Sequence, residues 1–147
     1  MVVCGKASRI ISGAEESGLC KRSAFLLAMT ESEYTHTVEI YLDQLTQARA
    51  DHDAELLLAM SEDLKDYIHA HGADQKGKSR YCAYPTESEK RKHLATVKER
   101  SNGQCELCGE RRATQIHHLI RRGRLRVYHV PEVLVSVCNA CHAKVHG

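Results

Sequence analysis

The chain has 147 residues and a formal net charge of +2, with 42% hydrophobic and 27% charged residues. These values are typical of one folded domain of ordinary size, and they exclude both a large multidomain enzyme and a disordered chain. The sequence has one Phe, six Tyr and no Trp, but seven Cys and ten His. Because large aromatic core residues are so few, we expect metal ligands to hold part of the chain together.

The sequence gives no sign of a membrane or a secreted protein. It contains no apolar run of membrane-spanning length, and its N-terminus lacks the charged and apolar segments of a signal peptide. We therefore expect a cytoplasmic protein that does not bind membranes. In a reducing compartment, paired cysteines indicate a metal site rather than a disulfide.

Charge is unevenly distributed along the chain. Residues 30–74 contain eleven Asp or Glu and two Lys or Arg, whereas residues 86–147 contain twelve Lys or Arg and six Asp or Glu. A polyanion is therefore expected to bind the C-terminal part and to be repelled by the middle.

Two helices are predicted in the acidic region. Apolar residues recur at helical spacing over residues 30–50 and again over residues 53–71, where Gly72 ends the second helix. Residues 30–72 are thus predicted as an acidic helical hairpin that packs on itself or on a protein partner. Residues 1–29 have the Gly and Ser content of a loop, with one apolar patch at residues 24–29 that is compatible with a short helix, and they give no indication of a function.

A linker and a third helix are predicted next. Residues 73–85 contain Gly, Ser, Pro and basic residues, a composition typical of a linker. Thr86 and Glu89 have the spacing of a capping box, which predicts a helix over residues 87–100 that ends at Asn102-Gly103.

Four cysteines form two CxxC pairs in the basic region. The pairs are Cys105 with Cys108 and Cys138 with Cys141, and 29 residues separate them. Each pair can place two thiolates on one ion, and four thiolates in a tetrahedral arrangement suit zinc. A redox CxxC normally occurs once, beside a βαβ pattern that this sequence lacks. The pattern therefore predicts a structural zinc ion that contributes much of the folding free energy of this region.

Four histidines lie close to these cysteines in the sequence. His117 and His118 are adjacent in a β-like stretch, so their side chains should point in different directions. Residues 139–146 should be helical, which places His142 and His146 on one face, where two imidazoles can share an ion.

Together these residues resemble the HNH endonucleases, whose active site is a ββα-metal finger. The similarity covers roughly residues 86–147, and the matching motifs are Cys105-x-x-Cys108, His117-His118, Cys138-x-x-Cys141-His142 and His142-x-x-x-His146. The resemblance implies an α+β fold in which a helical N-terminal region precedes a zinc-stabilised, treble-clef-like HNH domain. Small stand-alone HNH proteins are frequent in bacteria and phages, so it also implies a bacterial or phage origin.

The resemblance further implies a reaction, the hydrolysis of DNA to 5′-phosphate and 3′-hydroxyl ends. His118 would be the general base. The ligands of one catalytic divalent ion would be His117, His142 and His146. Three imidazoles favour binding of zinc, nickel, cobalt or manganese over magnesium, although the ion that supports turnover is a separate matter. Val133 stands where the family usually has Asn, so we expect reduced catalysis and faster cleavage by Val133→Asn.

Four arginines follow the histidine pair directly, namely Arg121, Arg122, Arg124 and Arg126. They are interpreted either as a solvated hairpin tip or as phosphate contacts that bind double-stranded DNA with little sequence specificity. Two functions are therefore carried forward: a metal-dependent HNH endonuclease, and a noncatalytic zinc-stabilised nucleic-acid-binding or assembly module with a degenerate HNH site. A further hypothesis is that the acidic hairpin covers the basic face and weakens DNA binding.

Overall fold

The computed structural model describes residues 29–120 and 123–146. The predicted N-terminal segment, apart from Met29, lies outside the described residues, and so do Arg121 and Arg122.

The first two elements are long helices joined by three residues. Helix α1 spans Glu31–Ala50 and helix α2 spans Ala54–His71, within a residue of the predicted bounds. The Asp53 side chain caps α2 by accepting a hydrogen bond from the Leu56 amide, and α2 ends at Gly72. Within the described residues, every helix is too short or too polar to cross a membrane.

The two helices share a core made of the apolar positions that recur at helical spacing. Its buried side chains are Tyr34, Val38, Leu42, Leu45 and Ala48 from α1 and Leu57, Leu64 and Ile68 from α2. Each large aliphatic side chain buried in this way stabilises the fold by about 1.5–3 kcal/mol. The acidic residues between them remain on the outer faces, as the amphipathic pattern predicts.

The segment after the hairpin is packed, in contrast to the linker expected from its composition. It forms two short 3-10 helices, Gly72–Gln75 and Arg80–Cys82. Tyr81 and Cys82 are buried, and the Ser79 hydroxyl lies 3.0 Å from the Thr35 hydroxyl of α1. Because these side chains contact the hairpin, the segment is fixed to it despite its Gly-rich and Ser-rich sequence.

Helix α3 spans Glu87–Ser101 and has the predicted capping box. The Thr86 hydroxyl accepts a hydrogen bond from the Glu89 amide, and the Glu89 carboxylate accepts one from the Thr86 amide. Asn102 and Gly103 then have φ angles of 47° and 76°. These left-handed conformations end the helix at the predicted position.

A small sheet and a short helix complete the fold. Strand β1, Gln115–His118, pairs antiparallel with strand β2, Leu134–Val137, so that His117 lies opposite Val135. Helix α4, Asn139–His146, follows directly. The described chain is therefore helix-rich and α+β, with one two-stranded antiparallel sheet.

The hairpin and the C-terminal elements belong to one compact unit, which begins at Glu31. A cluster of buried charged side chains, the buried ion cluster, joins the hairpin to the C-terminal elements. In it, Arg49 is 8% exposed and Glu106 is 7% exposed. Arg49 donates to the Glu132 carbonyl, and its Nε lies 3.6 Å from Glu106 Oε1. Arg100 donates to both Glu106 oxygens, at 2.7 and 3.2 Å, and the Ser136 amide donates to Oε2 at 2.7 Å. Removal of the hairpin would leave these charges without part of their pairing, so the hairpin is an integral part of the fold.

Candidate metal centres

The four predicted cysteine ligands meet at one point, which we call the cysteine cluster. All of their sulfurs, from Cys105, Cys108, Cys138 and Cys141, lie within 4.8 Å of one another. A zinc ion with four bonds of about 2.3 Å in tetrahedral array separates its sulfurs by about 3.8 Å, so the donor set and its spacing fit zinc. Cys105 and Cys138 are buried and the other two are half-buried. The cluster thus offers four sulfur ligands, two of them buried.

Backbone geometry prepares these sulfurs to bind a cation. Gly109 has φ 67°, and its amide donates to the Cys105 carbonyl at 2.8 Å, which closes the tight turn between the first two ligands. Hydrogen bonds from the Glu110 and Arg111 amides lower the pKa of Cys108 to about 6. The Cys141 amide lies 3.4 Å from the Cys138 sulfur and likewise lowers the pKa of Cys138. Amide donors therefore favour the thiolate form of Cys108 and Cys138, the form that binds a metal, whereas burial and then the neighbouring cysteines raise the pKa of Cys141 to about 12.

Three of the four predicted histidines form a second group, which we call the histidine triad. The ring nitrogens of His117, His142 and His146 lie within 4.8 Å of one another. The Nε2 atoms of His142 and His146 are 2.9 Å apart, as the i, i+4 spacing on α4 predicts. The His117 ring centroid lies 5.1 Å from that of His142 and 4.8 Å from that of His146. Imidazole nitrogens that face each other this closely suit a shared transition-metal ion.

The triad differs from the cysteine cluster in exposure. His117 is buried, His142 is half-buried and His146 is exposed. The triad supplies three protein ligands, so an ion there would keep a coordination position for another molecule.

Helix α4 joins the two groups. It carries Cys141 and His142 side by side, and the His142 amide donates to the Cys138 carbonyl at 2.9 Å. None of its eight residues is buried. An isolated helix of this length is unstable in water, so apolar burial cannot account for its position. We therefore expect metal ligation at the cysteine cluster to hold α4 and, with it, two members of the triad.

His118 points away from the triad, in line with the alternation of side chains along a strand. It is half-buried, and its ring meets the ring of His129 edge to face, with centroids 5.6 Å apart. Burial, and then the proximity of His129, lowers the pKa of His118. Both effects favour the neutral ring, the form that can accept a proton.

His129 is the residue of this site that the sequence did not predict. It lies in the 3-10 helix Arg126–His129, and its ring forms a hydrogen bond with the backbone of Gly123. Its own carbonyl accepts a hydrogen bond from His93 at 2.7 Å. Burial and then Lys90 lower the pKa of His129. Neither a motif nor a periodicity marks this position, because only the folded loop between the strands brings it to His118.

Val133, the position where the resemblance implies Asn, lies in the core of the protein. It lies in the 3-10 helix Pro131–Val133, and its side chain is fully buried. Its carbonyl accepts a hydrogen bond from the Leu119 amide at 2.9 Å. The backbone therefore ties the loop to β1 at this point, and an Asn side chain would be placed in the core.

The described arginines of the predicted phosphate-binding group differ from each other. Arg124 is exposed. Arg126 donates to the Arg80 carbonyl at 3.1 Å and forms an ion pair with Glu89, also at 3.1 Å. Arg126 thus holds the loop against α3, whereas Arg124 is available for a ligand.

Comparison of the chain with protein-family models, with curated proteins and with solved structures gives no match. What the chain itself provides is a cluster of four cysteines and a triad of histidines, each with the spacing of a metal site.

Proposed function

We propose that this chain is a metal-dependent endonuclease of the HNH type that hydrolyses DNA phosphodiester bonds. The observation that carries the proposal is the convergence of three imidazoles from β1 and α4, with His118 as the next residue of the same strand. Sites with four protein ligands are typical of structural zinc, whereas sites with three are typical of catalytic metals. The proposal therefore assigns a structural zinc ion to the cysteine cluster and one divalent ion to the histidine triad.

His117, His142 and His146 would hold that divalent ion, with zinc, nickel, cobalt or manganese preferred over magnesium by the nitrogen ligands. When bound, the ion would supply Lewis-acid stabilisation of the negative charge on the phosphate. The protein positions these ligands on two elements: His117 lies on β1, and His142 and His146 lie on α4.

His118 would be the general base. A water oxygen forms a bond to phosphorus while the bond from phosphorus to the 3′ oxygen breaks, and the proton of that water passes to the neutral His118 ring. The departing 3′ oxygen takes a proton from solvent, so the products carry a 5′-phosphate and a 3′-hydroxyl group. Because burial lowers the pKa of His118, the base stays unprotonated at neutral pH.

The proposed DNA contacts lie in the basic loop after β1. Arg124 is exposed there, and its neighbours Arg121 and Arg122 belong to the same run of the sequence. Arginines that contact phosphates fix the position of a duplex without reading its sequence. We therefore expect binding with little sequence specificity and with a steep dependence on salt.

A plasmid-nicking assay tests the proposed function. We expect the parent to nick supercoiled DNA, to stop in EDTA and to recover when a divalent ion is added. His118→Ala should reduce the rate by about 10²–10⁴-fold without loss of bound metal. His36→Ala, at a position on α1 outside the site, is the matched control and should leave the rate unchanged.

The second candidate function is a noncatalytic zinc-stabilised nucleic-acid-binding or assembly module. It is favoured by Val133, whose buried apolar side chain replaces the polar residue usual in the HNH family. If the parent and His118→Ala both leave the plasmid intact with every divalent ion, this function replaces the nuclease.

A further inference from the structure

A cleft opens beside the histidine triad, and the helical hairpin forms one of its walls. Its volume is about 360 Å³. The residues that line it are Leu58, Ser61, Glu62 and Lys65 from α2 and His117, Leu119, Val145 and His146 from the C-terminal elements. Clefts that bind small ligands range from about 300 to 1,000 Å³, so this one suits a single nucleotide unit of a longer chain.

The α2 wall is part of the folded unit. Ser61 and Leu64 are 2% and 0% exposed, and the Ser61 hydroxyl donates to the Leu58 carbonyl at 2.7 Å. Helix α1, on which α2 packs, is tied by Arg49 to Glu132 and Glu106 of the C-terminal part. A molecule that reaches the triad through this cleft therefore passes between two fixed surfaces.

Among the described residues that line the cleft, Lys65 is the one Lys or Arg, and it therefore carries a positive charge at neutral pH. Its ammonium group donates a hydrogen bond to the Glu62 carboxylate one turn earlier on α2. The Lys65 side chain is 28% exposed and that of Glu62 is 63% exposed. The stem of Lys65 is thus largely covered, and its ammonium group is paired with a carboxylate that faces solvent.

Lys65 has the charge needed to contact a phosphate, and in the free protein Glu62 occupies that charge. A phosphodiester that enters the cleft brings a negative charge, which can replace Glu62 as the partner of Lys65. The exposed ion pair is weak, because solvent screens both charges, so the exchange has a low cost. The same carboxylate repels the phosphate and reduces the affinity for it.

We propose that Lys65 binds a backbone phosphate of the nucleic acid in the cleft beside the triad, and that Glu62 limits this binding. The inference rests on the proposed function, because it assigns to the hairpin a contact with the same substrate. Lys65 is a positioning residue: it holds the strand next to the triad and takes no part in proton transfer. The acidic hairpin, on this view, contributes to DNA binding and does not simply repel DNA.

The first test measures the affinity for a fluorescent DNA duplex over a range of salt concentrations. Lys65→Met should weaken binding about fivefold at low salt and reduce the slope of log affinity against log salt by about one. Lys65→Arg keeps the charge and should retain the slope. Lys78→Met is the matched control, because it removes the same charge from an exposed residue that does not line the cleft, and it should leave the slope unchanged.

The second test changes Glu62 and should raise the affinity for DNA instead of lowering it. Glu62→Gln frees Lys65 and removes a repulsive charge, so it should raise the affinity about two- to threefold. Asp63→Asn removes the same charge from the neighbouring exposed residue of α2 and should have a smaller effect. Cobalt binding and circular dichroism of every variant should match the parent, which shows that the metal sites and the fold are intact.

The outcomes separate the two proposals. The role of Lys65 would be overturned if Lys65→Met and Lys78→Met had equal salt slopes. It would also be overturned if the slope of Lys65→Arg were as low as that of Lys65→Met. Either result would count even if the parent nicks DNA. A parent that binds DNA through Lys65 but never nicks it would support the phosphate contact and contradict the nuclease. A parent that does not bind DNA contradicts both.

Discussion

The cysteine cluster and the histidine triad meet on one short helix, α4, and differ in ligand type, ligand number and exposure. The cysteines supply four ligands, two of them buried, and backbone amides donate to their sulfurs. The histidines supply three ligands that range from buried to exposed. Under the proposed function, the four thiolates hold a structural ion that stabilises the fold, and the three imidazoles hold an ion that can exchange ligands with a substrate.

We also expect the histidine triad to depend on the cysteine cluster. Helix α4 has no buried residue, yet it presents two of the three triad ligands. Its first turn follows Cys138 and contains Cys141, so the cysteine cluster fixes where His142 and His146 are placed. Loss of the cysteine cluster should therefore abolish the triad, whereas loss of the triad should leave the cysteine cluster in place.

The largest expected effect is the loss of a cysteine ligand. Cys105→Ser should lower the free energy of unfolding by about 5 kcal/mol or more, since metal binding contributes directly to folding. Thermal unfolding followed by circular dichroism, together with zinc analysis, measures this. Cys82→Ser changes a buried cysteine outside the cluster and should keep the zinc content of the parent. If Cys105→Ser is as stable as Cys82→Ser, the cluster is not structural.

A second effect concerns the link between the hairpin and the cysteine cluster. Glu106→Ala should lower the free energy of unfolding by about 3 kcal/mol, because it leaves Arg49 buried without its carboxylate. Urea unfolding measures the loss. Glu110→Ala, at an exposed position of the same turn, should change stability by less than about 0.5 kcal/mol. Equal stability of the two variants would show that the buried ion cluster contributes nothing.

A third prediction concerns Val133, whose full burial leads us to expect the opposite of the sequence-based expectation. Val133→Asn places an amide in a fully buried position and should lower the free energy of unfolding by about 1–3 kcal/mol, with no gain in cleavage. Urea unfolding and plasmid nicking test both parts. A variant that is as stable as the parent and faster would restore the sequence-based expectation.

The smallest effect is a change in pH dependence. His118 accepts a proton only when neutral, and its lowered pKa keeps it neutral to a lower pH than an ordinary histidine. His129→Gln removes one cause of that lowering, so the pKa of His118 should rise and nicking should decline at a higher pH than in the parent. The acid limb of the pH–rate profile measures the change. His36→Gln should leave the profile in place, and the same result for His129→Gln would remove His129 from the site.

Local signals account for the parts that the sequence predicts well. The capping box at Thr86, the CxxC spacings and the i, i+4 histidines each specify geometry over a few residues, and the structure reproduces them. Long-range packing decides the rest. The approach of His129 to His118 depends on how the loop between the strands folds, and the lining of the triad cleft by α2 joins residues far apart in sequence. The burial of Tyr81 and Cys82 likewise turns a linker-like composition into a packed segment.

Metal analysis of the purified protein most directly tests whether the cysteine cluster and the histidine triad bind two different kinds of ion. The parent should retain one zinc ion after mild chelation and should bind a second, exchangeable ion when cobalt is added. His142→Ala should retain the first ion and lose the second, with an unchanged circular dichroism spectrum. A parent that binds a single ion, or a His142→Ala protein that still binds two, would contradict the assignment of a structural ion to the cysteines and an exchangeable ion to the histidines.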